Sequence, residues 1–131
     1  MPERKVPVPY TPSILVVDDN NETRQMFRRE LEETGYYVSE ARTGREARHA
    51  SRDRFFDVMI LDMSMPDEDG IELLQYMRSE LPSVKVLAVS GFMQEAFLSV
   101  ARNLGASSSL QKPVSPETLM REIYKLLATH F

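Results

Sequence analysis

The sequence predicts an α/β fold, a parallel sheet covered on its faces by helices, and three observations predict it. Val58-Met59-Ile60-Leu61 and Ile14-Leu15-Val16-Val17 are continuous apolar runs too short to carry a helical stripe. Such runs read as strands buried on both faces, the pattern of a parallel sheet. Between them, apolar residues recur at helical spacing, so strands and helices alternate along the chain. Both runs also end in acids: Asp18 and Asp19 after the first, Asp62 after the second. In open α/β sheets the ligand crevice lies beyond the carboxyl ends of the strands, so these acids stand where chemistry is done.

With 131 residues, 42% apolar and 27% charged, the chain fits one domain with a real core. Its apolar runs are far short of a membrane span, and the N-terminus has no continuous apolar segment of the signal-peptide kind, so the expectation is a cytoplasmic protein without membrane insertion. No cysteine is present, which excludes disulfides, thiol nucleophiles and thiolate metal sites. A net charge of −4 argues against direct nucleic-acid binding. His49 and His130 lack ligand spacing and read as ordinary helix residues.

Residues 1–12 hold Pro2, Pro7, Pro9 and Pro12 and few apolar side chains, and read as a flexible leader, either a natural tail or the remnant of a linker. The first strand, Ser13 to Val17, follows. Thr23, Met26, Phe27, Leu31 and Thr34 then mark helix one, with Gly35 as its C-terminal cap. Tyr36 to Ala41 is a short strand, and Thr43-Gly44-Arg45-Glu46 has the capping-box form that opens helix two. Arg45, Arg48 and Arg52 fall on one side of that helix and read as a solvated face.

Beyond Asp62 the chain turns through Met63 to Gly70, with Pro66 fixing one backbone angle and Gly70 relieving another. Asp67 or Asp69 reads as the N-cap of helix three, which Ile71, Leu74 and Met77 mark and Leu81-Pro82 stops. Val84 to Ser90 is the fourth strand. Helix four runs from about Met93 to Leu104, with Met93, Phe97, Val100 and Leu104 as its buried stripe and Leu98 off it. Gly105 caps it, and Ser108 to Gln111 forms the last strand before Lys112-Pro113. Ser115-Pro116 opens helix five, whose stripe is Leu119, Ile123, Leu126 and Leu127, with Tyr124 off it. The expectation from this stretch is a single domain that ends with helix five.

Four of the five strands thus end in reactive side chains: Asp18 and Asp19, Asp62, Ser90 and Lys112. Taken alone, each has a bland reading; Asp62 could simply be a solvated strand-end acid. Taken together on one sheet edge, three carboxylates repel one another, and a hard cation with oxygen ligands, Mg2+ above others, resolves the repulsion. The site then offers a nucleophilic carboxylate, a hydroxyl and an ammonium, the parts needed to accept a phosphoryl group.

Leu15-Val16-Val17-Asp18-Asp19-Asn20, Leu61-Asp62-Met63-Ser64-Met65-Pro66-Asp67 with Gly70, Ala88-Val89-Ser90-Gly91, and Gly105-Ala106-Ser107 leading to Lys112-Pro113 resemble the receiver domain of two-component response regulators. The resemblance spans Ser13 to about Thr129 and gives a receiver domain over residues 13–131. It implies a CheY-like, flavodoxin-like doubly wound sheet in the order 2-1-3-4-5. It implies Asp62 as phosphoacceptor, and Mg2+ held by Asp18, Asp19, Asp62 and the backbone carbonyl of Ser64. Ser90 and Lys112 would contact phosphoryl oxygens, with the bond to Pro113 cis. The donor would be a sensor histidine kinase or histidine phosphotransfer protein, and a downstream protein would dock on the helix 4/strand 5/helix 5 face. The only catalysis implied is of the domain's own phosphorylation and dephosphorylation.

Three further expectations concern particular residues. Ser109 stands where many receivers carry a rotating Tyr or Phe, so the switch is expected to run through the loop after Ser90 and helix four. Ser64 and Phe92, beside the route of attacking water, favour a long-lived phosphorylated state. Leu98 and Tyr124 are expected to form a small docking patch on the output face. A receiver fold docking without phosphorylation, a phosphohydrolase acting through an aspartyl phosphate, and a receiver segment of a hybrid kinase or larger regulator remain the alternatives.

Overall fold

In a computed structural model, which describes residues 10–65, 70–91 and 95–128, strands and helices alternate as the apolar pattern requires. The strands are β1 (Ser13–Val17), β2 (Tyr37–Ala41), β3 (Val58–Asp62), β4 (Lys85–Ser90) and β5 (Ser108–Gln111). The helices are α1 (Asn21–Glu33), α2 (Gly44–Asp53), α3 (Gly70–Glu80), α4 (Glu95–Asn103) and α5 (Pro116–Ala128). The five strands form one sheet in the order β2-β1-β3-β4-β5, every pair parallel. This is the flavodoxin-like doubly wound sheet.

Side-chain alternation divides the core between the two faces. Leu15, Val17, Met59, Leu61, Val86 and Ala88 pack with Leu73, Leu74, Met77 and Ala101 on one side. Ile14, Val16, Val58, Ile60, Leu87 and Val89 pack with Phe27, Leu31, Leu119 and Ile123 on the other. The central strands therefore have no polar face, which is why their sequence runs unbroken. Truncating a fully buried residue such as Leu61 or Ile60 to alanine removes about 2–5 kcal/mol of stability.

Helix boundaries follow their caps. Asn20 accepts from the amide of Thr23 at 2.9 Å, and Ser115 from that of Thr118 at 3.1 Å. Thr43 accepts from the amide of Glu46 at 3.1 Å, but Glu46 returns to the amide of Arg42 at 2.8 Å, one residue earlier than a standard capping box. Gly35 and Gly105 close α1 and α4 in the left-handed region, at φ 103° and 122°.

Several local expectations need correction. Gly70 has no positive φ; its constraint is space, because a Cβ there would lie 3.0 Å from the Cα of Met63. On α4, Val100 is 45% exposed while Ala101 is fully buried and Leu104 packs against the same core, so Ala101 takes the inward place that apolar spacing gives to Val100. A short alanine lets the helix sit close to the sheet, a preference that hydrophobicity alone does not reveal. Arg48 is half-buried, its guanidinium 5.1 Å from the ring centre of Tyr76, rather than solvated with Arg45 and Arg52. Met93, Asp67, Asp69 and His130, with the side chains of Phe97 and Leu98, lie outside the described residues.

Tyr10 to Pro12, which composition places in the leader, are pinned to the domain. The Tyr10 hydroxyl donates to both carboxylate oxygens of Asp57, at 3.0 and 2.8 Å, and the carbonyl of Pro12 accepts from Tyr37 at 3.0 Å. Residues 1–9 lie outside the described residues. Among the described residues, no helix is long and apolar enough to cross a membrane.

Candidate functional site

Strand register assembles the site before any side chain is considered. Val17 is level with Leu61, so the next residues, Asp18 and Asp62, leave the sheet side by side. Asp62 is level with Val89, and Ser90 with Gln111, which brings Ser90 and Lys112 to the same edge. The amide of Lys112 donates to the carbonyl of Ser90 at 2.9 Å, extending the β4–β5 ladder one step past the strand. The Lys112-Pro113 bond is cis.

The carboxylates of Asp18, Asp19 and Asp62 bring oxygens within 4.8 Å of one another. At such separations two unit charges repel by about 3 kcal/mol at the effective dielectric of a protein surface. The Lys112 ammonium lies 3.0 Å from Asp18 Oδ2 and 3.6 Å from Asp62 Oδ2. It offsets one of the three negative charges, leaving an excess that a divalent cation matches. The donor set is all oxygen, the chemistry that Mg2+ and Ca2+ prefer.

Each acid is held differently. Asp18 is buried, and burial pushes its carboxyl above the ordinary carboxylate value. The Asn20 amide, donating to Asp18 Oδ1 at 2.9 Å, and Lys112 oppose that rise, while the charge of Asp62 adds to it. Asp62 is also buried; its Oδ1 accepts from the amide and hydroxyl of Ser64 at 3.0 and 2.7 Å, leaving Oδ2 toward Lys112. Asp19 is exposed. Asp19, Asn20, Thr23, Asp62, Ser64, Gly91 and Lys112 line a cleft of about 380 Å³. Ser90, fully buried at the end of β4, is not among its lining residues.

A profile of the response regulator receiver domain matches residues 14–124. This chain is a response regulator receiver domain. Such domains are the phosphorylation switches of two-component signalling; they take phosphoryl groups from histidine kinases or phosphotransfer proteins, and they hold Mg2+ in an acidic pocket of this kind. The receiver is 34% identical over 117 residues to the transcriptional regulatory protein GltR of Pseudomonas aeruginosa, covering 88% of this chain and 48% of GltR. It is 28% identical to the polar-differentiation response regulator DivK of Brucella abortus, covering 89% of this chain and 97% of DivK. The solved structure of the chemotaxis protein CheY4 of Vibrio cholerae superposes with a TM-score of 0.83 at 30% identity, over 89% of this chain and 99% of that one. The receiver thus spans about half of GltR but nearly all of DivK.

Ser109 is half-buried on β5, where its hydroxyl accepts from Arg102 of α4 at 2.5 Å; Arg102 also reaches Ser99 at 3.3 Å. A polar link therefore joins the receiver's α4 to β5 at the position where an aromatic is common. Tyr124 is 70% exposed on α5, and burial, then the charge of Tyr124, raise the Tyr36 phenol. On the β5 side, Glu122 accepts from Ser108 at 2.8 Å. Leu98 and Phe92, on which the expected docking patch and the long-lived phosphorylated state partly rest, lie outside the described side chains.

Sequence reading missed Arg24. It is buried, with Nε 2.6 Å from Glu40 Oε1 and Nη1 2.8 Å from the carbonyl of Asp18. A signal was present: Arg24, Phe27 and Leu31 are spaced three and four apart, so the apolar phase of α1 turns this arginine inward.

Proposed function

We propose that this receiver is a cytoplasmic switch in which Asp62 accepts a phosphoryl group from a sensor histidine kinase or a histidine phosphotransfer protein. The reading is supported chiefly by three carboxylates drawn within 4.8 Å of one another beside the Lys112 ammonium, at the carboxyl edge of a parallel sheet. A carboxylate oxygen of Asp62 attacks the phosphorus of the donor. The new O–P bond forms as the P–N bond to the donor imidazole breaks, and the imidazole nitrogen keeps the electron pair. Lys112 turns from Asp18 to the phosphoryl charge, and the Ser90 hydroxyl donates to a second phosphoryl oxygen. Later, water attacks the phosphorus, the O–P bond to Asp62 breaks, and inorganic phosphate leaves.

Asp18, Asp19, Asp62 and the backbone carbonyl of Ser64 would hold Mg2+, whose contribution is to neutralise charge on the phosphoryl oxygens. A groove of about 410 Å³ lined by Thr23, Met26, Phe27, Gly91, Lys112, Pro113 and Val114 adjoins the cleft and gives a donor protein a partly apolar surface beside Asp62. Output is through α4, β5 and α5, with Gly91 and the start of α4 responding to the draw on Ser90. The test is incubation with a small acyl phosphate, with Mg2+ or with a chelator, followed by intact mass. One added phosphate that requires the cation is expected; no gain in mass with Mg2+ present refutes the reading.

A further inference from the structure

Burying an arginine is costly unless its charge is paired and its donors are used. Arg24 meets both conditions with acceptors from three segments. Its Nε donates to Glu40 on β2, its Nη1 to the carbonyl of Asp18 in the β1–α1 turn, and its Nη2 to the side chain of Asn21 at the start of α1. The second oxygen of Glu40 is taken by Arg28 Nη1 at 2.5 Å, so Glu40 is fixed from both sides. Burial works to raise the Glu40 carboxyl but is outweighed by Arg28 and Arg24, which keeps it below its ordinary value and ionised at neutral pH.

The planar guanidinium therefore carries the position of the sheet to a single peptide group, the one linking Asp18 to Asp19. The other restraints on this turn act elsewhere: Asn20 and Lys112 hold the Asp18 carboxylate, and the amide of Asp18 donates to Ala41 at 3.1 Å. Arg24 alone among these contacts the backbone immediately ahead of Asp19. Three crowded carboxylates push that turn outward, and Arg24 pulls against the push. Its own charge is compensated by Glu40, so it holds the turn without repelling a cation as strongly as a bare guanidinium would.

We propose that Arg24 is a positioning residue that keeps the Asp18–Asp19 turn preformed for Mg2+, acting through the backbone and touching neither the ion nor the phosphoryl group. This rests on the reading of the acidic cluster as a Mg2+ site. An α1-to-β2 strut would support stability only; a positioning residue sets cation affinity.

The experiment is a Mg2+ titration of the full chain, wild type against Arg24→Lys and Glu40→Gln, followed by the backbone amide shifts of Asp19, Asn20 and Ser64, with thermal melts in Mg2+-free buffer. Lysine keeps the charge but cannot span three acceptors. Removing a supporting contact of this kind costs about tenfold or more in metal affinity, so Arg24→Lys should raise the Mg2+ Kd by about tenfold. Its Asp19 and Asn20 amides should be displaced before Mg2+ is added. Glu40→Gln leaves the bond to the Asp18 carbonyl and should weaken binding by less than about tenfold. A folded Arg24→Lys with the wild-type Kd and a lower melting temperature overturns the proposal in favour of a strut. Should Arg24→Lys not fold, Arg24→Met, which keeps the buried volume and removes every donor to the Asp18 carbonyl, takes its place, and a folded Arg24→Met with the wild-type Kd overturns the proposal equally. A wild-type chain that is folded and binds no Mg2+ refutes the metal-site reading itself, a result separate from either variant.

Discussion

Two aspartates bound the central strand region, and they differ in what surrounds them. Asp57, just ahead of β3, accepts from two neutral donors among the described residues, the Tyr10 hydroxyl at 2.8 Å and the amide of Ser13 at 2.8 Å, both on Oδ2. Its backbone is also spoken for, with its amide on Ser13 and its carbonyl accepting from Lys85. Asp62, at the other end, faces two further carboxylates and an ammonium. Asp57 is a clasp that ties the chain before β1 to the sheet. Asp62 sits in an excess of like charge that only a proton, a cation or a covalent change can relieve. Five residues apart in one strand region, the same side chain has opposite roles because its neighbours differ, which is why an aspartate at a strand end carries no meaning by itself.

The largest effect expected from this contrast is all-or-none. Asp62→Asn should gain no phosphate from an acyl phosphate with Mg2+, whereas Asp57→Asn should gain it at the wild-type rate; intact mass over time reads both, and equal loss in the two variants would erase the distinction. Next, Asp57→Ala should lower unfolding free energy by about 2 kcal/mol through lost bonds to a charged acceptor, read as a shifted urea midpoint. A stable Asp57→Ala would mean the clasp is ornamental. Tyr10→Phe removes one of those bonds at a largely exposed site and should cost about 0.5–1 kcal/mol.

The smallest effect concerns a third carboxylate, Glu40, which is paired rather than crowded. Its carboxyl is held below the ordinary value of 4.5, so its contribution to stability is present above that value and is lost as pH falls through the folded-state value. The stability gap between wild type and Glu40→Gln should therefore be widest near neutral pH and close in acid. Urea midpoints measured across that range would show it, and a gap independent of pH would mean that the pair with Arg24 and Arg28 contributes through shape and not charge.

Strand number and the residues at the strand ends were legible because they depend on local composition, whereas the strand order came only through the resemblance to receiver domains. A run such as Ile14 to Val17 can be buried on both faces only in a covered sheet, and a period of two or 3.6 residues survives in the sequence whatever the neighbours are. The caps at Thr43 and Ser115 were open to the same reading, since each needs only residues a few positions apart. Where local pattern and close packing compete, the pattern misled: Ala101, not Val100, turns inward on α4, and Gly70 is required by the backbone of Met63 and not by its own dihedral.

By itself, then, the sequence determined which side chains arrive at the carboxyl edge, because each is the next residue after an apolar run of countable length. Tertiary structure alone decided the rest. It set the 3.0 Å pairing of Lys112 with Asp18 and the inward arginine that joins Glu40 to the peptide of Asp18. These contacts link residues brought together by register and helix packing, and an ion pair or hydrogen bond depends on ångström distances that spacing along a chain does not encode.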